Sequence, residues 1–157
     1  MVLMVCGTAR AADEAAPWWS GPRAGSILVE PSLGYSQGDG LDGVNLALRI
    51  SFPFEYLLVG VQGRALFLPQ GVFYQASLDV LGRWGPAFAG LALGGDFLPG
   101  DTGNPRPGLD LLVGACLPLG LAGVFVQLYY RPSMIFLHSR TLVGHGVFLG
   151  LVFETGS

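Results

Sequence analysis

From about residue 24 onward, apolar and polar residues alternate one for one through segment after segment. A period of two belongs to the β-strand, whose successive side chains point to opposite faces. In GVNLALRISFPFEY, Val44, Leu46, Leu48, Ile50, Phe52 and Phe54 share one face. Asn45, Ala47, Arg49, Ser51 and Glu55 share the other, together with Gly43 and Pro53. The same alternation runs through SILVEPSLGYS, YLLVGVQGRALFL, VFYQASLDVLGRW, AFAGLALGGDF, LDLLVGACLPL, AGVFVQLYYR and TLVGHGVFLGLVFE. These make eight segments, and each is close to the ~9–11 residues that a tilted strand needs to cross a bilayer. The breaks between them are QGDGLDG, PFEY, LPQG, GRWGP, GDFLPGDTGNPRPG, PLGLAG and RPSMIFLHSR, all rich in turn-forming residues. An even strand number puts both chain ends on one side, and the longest breaks then fall among the odd, outward-facing ones.

Composition matters because alternation alone does not say which face meets solvent. Only 12% of the 157 residues are charged, against about 25% in a typical soluble domain. No run of residues is long and apolar enough for a membrane helix, and 25 Gly with 11 Pro speak against long helices. Low charge without a membrane helix points to a membrane barrel, whose signal per strand is weak. The polar face is mostly Gly, Ala, Ser and Gln, poor cover for a water-facing surface but suitable for a narrow interior. The apolar-face aromatics also sort by level. Phe52, Phe54, Trp84 and Phe153 lie near the even turns or the C-terminus, and Tyr35, Phe67, Tyr74, Phe97 and Tyr130 near the odd loops. Two aromatic girdles around an aliphatic band mark two membrane interfaces. The fold class expected is all-β, an eight-stranded antiparallel up-and-down transmembrane β-barrel.

In such a barrel the charges point inward and must pair. Centring the first loop near Gly40 places Arg49 opposite Glu30. The next two hairpins bring Gln62 and Ser77 into the same row, with Arg64 and Asp79 diagonal to it. Glu30, Arg49, Arg64 and Asp79 are the expected lumen charge network, and Gln62, Ser77, Gln127 and Arg131 its polar lining. This girdled eight-strand pattern, with inward Glu/Arg pairs and a signal-like start, resembles the small bacterial outer-membrane barrels of the OmpA, OmpX and OmpW type. The resemblance covers about residues 24–153 and rests on pattern rather than on a diagnostic motif. It implies the bacterial outer membrane as location, outer-membrane lipid as surroundings, and recognition by the barrel assembly machinery through an aromatic end of the last strand, here Phe153. The tail ETGS beyond it departs from that pattern.

The expected organisation is a signal-peptide remnant over 1–12, a short periplasmic segment over 13–23, and the barrel over 24–157. VLMVCG followed by Ala9-Arg10-Ala11-Ala12-Asp13 reads as an apolar stretch before an A-x-A cleavage site, although a basic leading region is missing. Cys6 as a lipidated residue is the less favoured reading, because Val5 stands where a small residue is wanted. Trp18-Trp19 reads as an interfacial anchor. Cys116 is the one cysteine after cleavage, a small residue filling space.

Candidates for chemistry are few. His138, Ser139, His145 and Glu154 contain the residue types of a Ser–His–acid hydrolase. About a strand length, roughly 30 Å, separates Glu154 from His138, so no triad is expected. Asp96, Asp101 and Asn104 offer oxygens for a divalent cation, but their spacing fits no calcium loop. GLALGG lacks the lysine and helix of a phosphate loop, so Gly90 and Gly94 read as strand glycines that make room in the lumen. No metal and no cofactor are expected, and a net charge of −3 argues against nucleic acid as a partner. The reading favoured is a non-enzymatic outer-membrane barrel with a structural or surface-interacting role. The alternative is a narrow pore or a lateral path for a small hydrophobic compound, suggested by Leu66, Leu68, Phe73 and Phe125 on or near the inner face. A lipid A acyl hydrolase and a secreted soluble ligand-binding barrel rank below these.

Overall fold

The structure, a computed structural model, describes residues 21–98 and 104–156. The signal-like start, Cys6, Trp18-Trp19 and Asp101 lie outside the described residues. Eight strands follow in chain order: β1 (Ile27–Gln37), β2 (Gly43–Pro53), β3 (Leu57–Leu68), β4 (Gly71–Trp84), β5 (Ala87–Phe97), β6 (Arg106–Pro118), β7 (Val124–Phe136) and β8 (Thr141–Thr155). Each pairs antiparallel with the next, and β8 pairs with β1 to close a barrel. Closure leaves no free sheet edge, which a chain surrounded by hydrocarbon requires.

The register fixes the shape. Starting at Glu30, paired residues run through Arg49, Gln62, Ser77, Gly94, Gly108, Ile135 and Leu142. In the β8–β1 register, where Gln37 meets His145, Leu142 falls opposite position 40, ten residues beyond the starting Glu30. With a rise of ~3.3 Å per residue and ~4.8 Å between strands, that stagger tilts the strands by about 40° and makes a barrel about 16 Å across. The eleven residues of β1 then rise about 27 Å, close to the ~25 Å apolar band of an outer-membrane barrel. Each step along the paired row climbs about 3 Å towards the end that carries the odd loops.

The exterior is the apolar face. Leu33, Leu46, Leu48, Val61, Leu78, Leu93, Val113, Leu128 and Leu149 are all exposed on it. All nine expected interface aromatics are exposed as well, Trp84 most of all at 66%. Eight of them lie towards the strand ends. Tyr130 does not: β7 runs six residues beyond it to Phe136, so Tyr130 sits at mid-height and Phe136 occupies the rim.

The seventh break is therefore much shorter than RPSMIFLHSR suggests. Pro132 reads as a breaker in sequence, yet it lies inside β7 and pairs with His145. The β6–β7 register is interrupted between Val113–Tyr130 and Asp110–Ser133, where Pro132 has no N–H to donate, while the ladder to β8 continues. Pro31 does the same in β1: its pairing to β2 is kept and the β8 ladder is interrupted beside it. The odd connections are thus 38–42, 69–70, 98–105 and 137–140, and the even ones 54–56, 85–86 and 119–123. Only 98–105 stands out in length, so the two ends differ less than the sequence breaks imply.

Candidate functional site: the occluded lumen

Inward-pointing side chains fill the barrel in layers. Near the even turns, Leu28, Leu58, Leu81, Phe88, Phe125 and Val152 form an apolar plug, with Cys116 packed against it. Near the odd loops, Leu41, Leu66, Phe73, Ile135 and Leu142 form a second, with Leu68, Leu98 and Leu137 beside it. The interior is not the uniformly polar filling that alternation implies. Leu66, Phe73 and Phe125, expected as a path for an apolar compound, are buried within these plugs.

Between the plugs lies the polar core. Arg49 on β2 faces Glu30 on β1, and their side chains form an ion pair, both 2% exposed. The guanidinium also reaches Asp79 on β4, with Nη1 3.7 Å from Oδ2, and Ser77 Oγ donates to Asp79 Oδ1 at 3.2 Å. Two aromatic faces complete the pocket, Tyr129 at 5.7 Å and Phe88 at 6.0 Å from the guanidinium carbon. Tyr129 stacks on Phe148, centroids 5.0 Å apart and planes 3° off parallel. Its hydroxyl accepts from Gln62 Nε2 at 3.3 Å and shares a hydrogen bond with Ser32 Oγ at 3.3 Å.

Higher up, Arg131 on β7 is the second hub. It donates to Gln62 Oε1 and pairs with Asp110 on β6, and it donates to Gln75 Oε1 at 2.7 Å. Gln75 Nε2 donates in turn to Asp110 Oδ2 at 3.0 Å. Gln62 thereby links both hubs, the lower one through Tyr129. Arg64 does not join Glu30, Arg49 and Asp79. The row from Arg49 to Ser77 separates it from Asp79, and it lies over the Phe73 ring at 5.9 Å with Asp96 and Asp110 as the acidic groups acting on it. Gln127 is buried low in the barrel and lines a small cavity with Glu30 and Cys116.

Asp110, Gln75, Ser32 and Tyr129 were absent from the network expected from sequence. Parity along their strands puts Asp110, Gln75 and Ser32 on the polar face, but hairpin counting does not join them to the hubs. Tyr129 follows from the same parity, two residues from both Gln127 and Arg131, but parity does not reveal that its ring lies against Arg49.

The other candidates separate in space. His138 and Ser139 are exposed in 137–140, and His145 faces outward against the Tyr130 ring at 6.0 Å. Glu154 sits at the opposite rim, where its Oε1 accepts from Arg23 N at 2.7 Å. These four residues make no triad. Asp96 points into the lumen and Asn104 is exposed in the fifth loop. Among the described residues no group of three or more His, Cys, Asp or Glu is placed to hold a metal. Gly90 and Gly94 lie within β5. A Cβ on Gly90 would stand 2.1 Å from the Val80 carbonyl oxygen, so glycine there lets β4 and β5 approach.

Neither a protein-family model nor a curated protein sequence matches the chain. Solved structures do. The fold is similar to Neisserial surface protein A, at 13% identity and a TM-score of 0.62, over 87% of this chain and 100% of that one. It is similar also to the N-terminal β-barrel domain of Pseudomonas aeruginosa OprF, at 12% identity and a TM-score of 0.57, over 83% of this chain and 98% of that one. The chain has the fold of the small bacterial outer-membrane barrels, and its exterior suits the same solvent, a hydrocarbon layer.

Proposed function

We propose that this chain is a structural or surface-interacting protein of the bacterial outer membrane and works with its interior closed. The observation that carries the reading is the pair of hubs, Glu30–Arg49–Asp79 and Arg131–Asp110, joined across the bore through Gln62 and the Tyr129 ring that faces Arg49. In a barrel about 16 Å across between backbones, side chains occupy most of the interior. Apolar plugs stand above and below the hubs. Contacts made on the outside then remain: lipid along the band, and a partner at the loops, of which 98–105 offers the most chain. Assembly by the barrel assembly machinery through the strand that carries Phe153 belongs to the same reading.

The test is conductance. Purified protein refolded from detergent into planar lipid bilayers should give no discrete current steps, and on a gel in SDS it should migrate differently boiled and unboiled. Reproducible steps from heat-shifting protein would sink the closed reading and favour the narrow pore.

A further inference from the structure

The mouth of the barrel at the even turns is covered by the piece of chain that precedes β1. Pro22 is buried there. Its carbonyl oxygen accepts from both terminal nitrogens of Arg83, at 3.4 and 3.3 Å. One residue on, Arg23 N donates to Glu154 Oε1, and the Arg23 Nε lies 3.7 Å from the same oxygen. Gly25 N then donates to Pro53 O at 3.0 Å. Residues 22–26 are thus tied to β2, β4 and β8, strands from different parts of the barrel wall. Behind them is a cavity of about 20 Å³ lined by Pro22, Glu30, Arg49, Arg83, Phe88 and Cys116, among others. That is room for about one water molecule and far too little for an organic reagent.

We propose that Pro22–Ser26 is a strap closing this mouth and that Arg83 is its latch. Release of the latch exposes the lower lumen, with Cys116, to small solutes from that side. The two Arg83 bonds are long for N–H···O contacts, so the Pro22 end of the strap is held without being locked, while Arg23 N and Gly25 N anchor the rest at 2.7 and 3.0 Å. The inference rests on the closed-barrel reading but adds a separate element, since Glu30 and Arg49 form the inner wall of the cavity and the strap bonds run to Arg83, Glu154 and Pro53 instead.

The experiment is a thiol-reactivity measurement on refolded full-length protein in a Cys6→Ser background, so that Cys116 alone reports. A charged maleimide is added, and the alkylation rate is compared among the parent, Arg83→Ala and Glu154→Ala. The parent should react slowly, Arg83→Ala about tenfold faster, as expected for losing hydrogen bonds from a charged donor, and Glu154→Ala should fall between them. Both variants should keep the boiled–unboiled gel shift and stay silent in planar bilayers. Unchanged rates in shift-positive variants would overturn the strap. So would a parent that reacts as fast as the urea-unfolded chain. If Arg83→Ala loses the shift, Glu154→Ala decides. Conductance in the parent would defeat the closed-barrel reading instead, so the two failures are distinguishable.

Discussion

Removing one charge from the lower hub should be costly, and removing its partner as well should restore much of the loss. Arg49 and Glu30 are both 2% exposed, and Arg49 is held among Glu30, Asp79, Tyr129 and Phe88. Taking one member from a buried ion pair costs about 3–5 kcal/mol, because the other charge is left without compensation. In Glu30→Gln the amide keeps the shape, and Asp79 at 3.7 Å still offers Arg49 a counter-charge. The expected loss is therefore at the low end, about 3 kcal/mol. Arg49→Met leaves Glu30 and Asp79 facing each other without a cation and should cost at least as much. The double variant should be less destabilised than the sum of the singles by about 2 kcal/mol, a coupling in the range for directly contacting residues. The assay is equilibrium urea unfolding in phospholipid bilayers, followed by tryptophan fluorescence and by the gel shift. Strict additivity, or a Glu30→Gln loss under about 1 kcal/mol, would refute the argument that this pair compensates a buried charge.

Two further perturbations test the faces of the wall. Gly90→Val should destabilise by about 1–3 kcal/mol or block refolding, since even a Cβ meets the Val80 carbonyl oxygen and the Leu81 Cα at 2.7 Å, whereas Gly63→Val, with nothing within 4 Å of its Cβ, should be tolerated. Gly63 belongs to a shallow outer depression with Leu48, Ile50, Val61, Ala76, Leu78 and Leu93, so the added valine meets lipid rather than protein. Urea midpoints of the two variants make the comparison, and equal losses would contradict the assigned faces. Leu78→Arg should cost about 2–4 kcal/mol in bilayers, because Leu78 is 53% exposed near mid-height on the outer face. A neutral effect there would mean that the outer face meets water.

The sequence by itself determined strand number, strand period, the sign of each face and the Glu30–Arg49 row. The sign of each face depends on composition, and strand number, period and the Glu30–Arg49 row depend on parity along one strand or on hairpin counting, both local. It placed eight of the nine aromatics towards the strand ends for the same reason. The tertiary structure decided what depends on closure. The ten-residue stagger tilts the paired rows, so Arg131 on β7, across the barrel from β3, meets Gln62 inside the bore and pairs there with Asp110. Arg64 and Asp79 are kept apart by the β3–β4 register, on opposite sides of the Gln62–Ser77 pair, and Tyr130 stays at mid-height because β7 runs on past its proline. Leu58, Leu112 and Val152 each stand next to another apolar residue, and parity gives no reason to bury an aliphatic side chain on the polar face. Only a closed wall, narrow enough for opposite sides to touch, turns those residues into plugs that exclude water from the ends of a charged core.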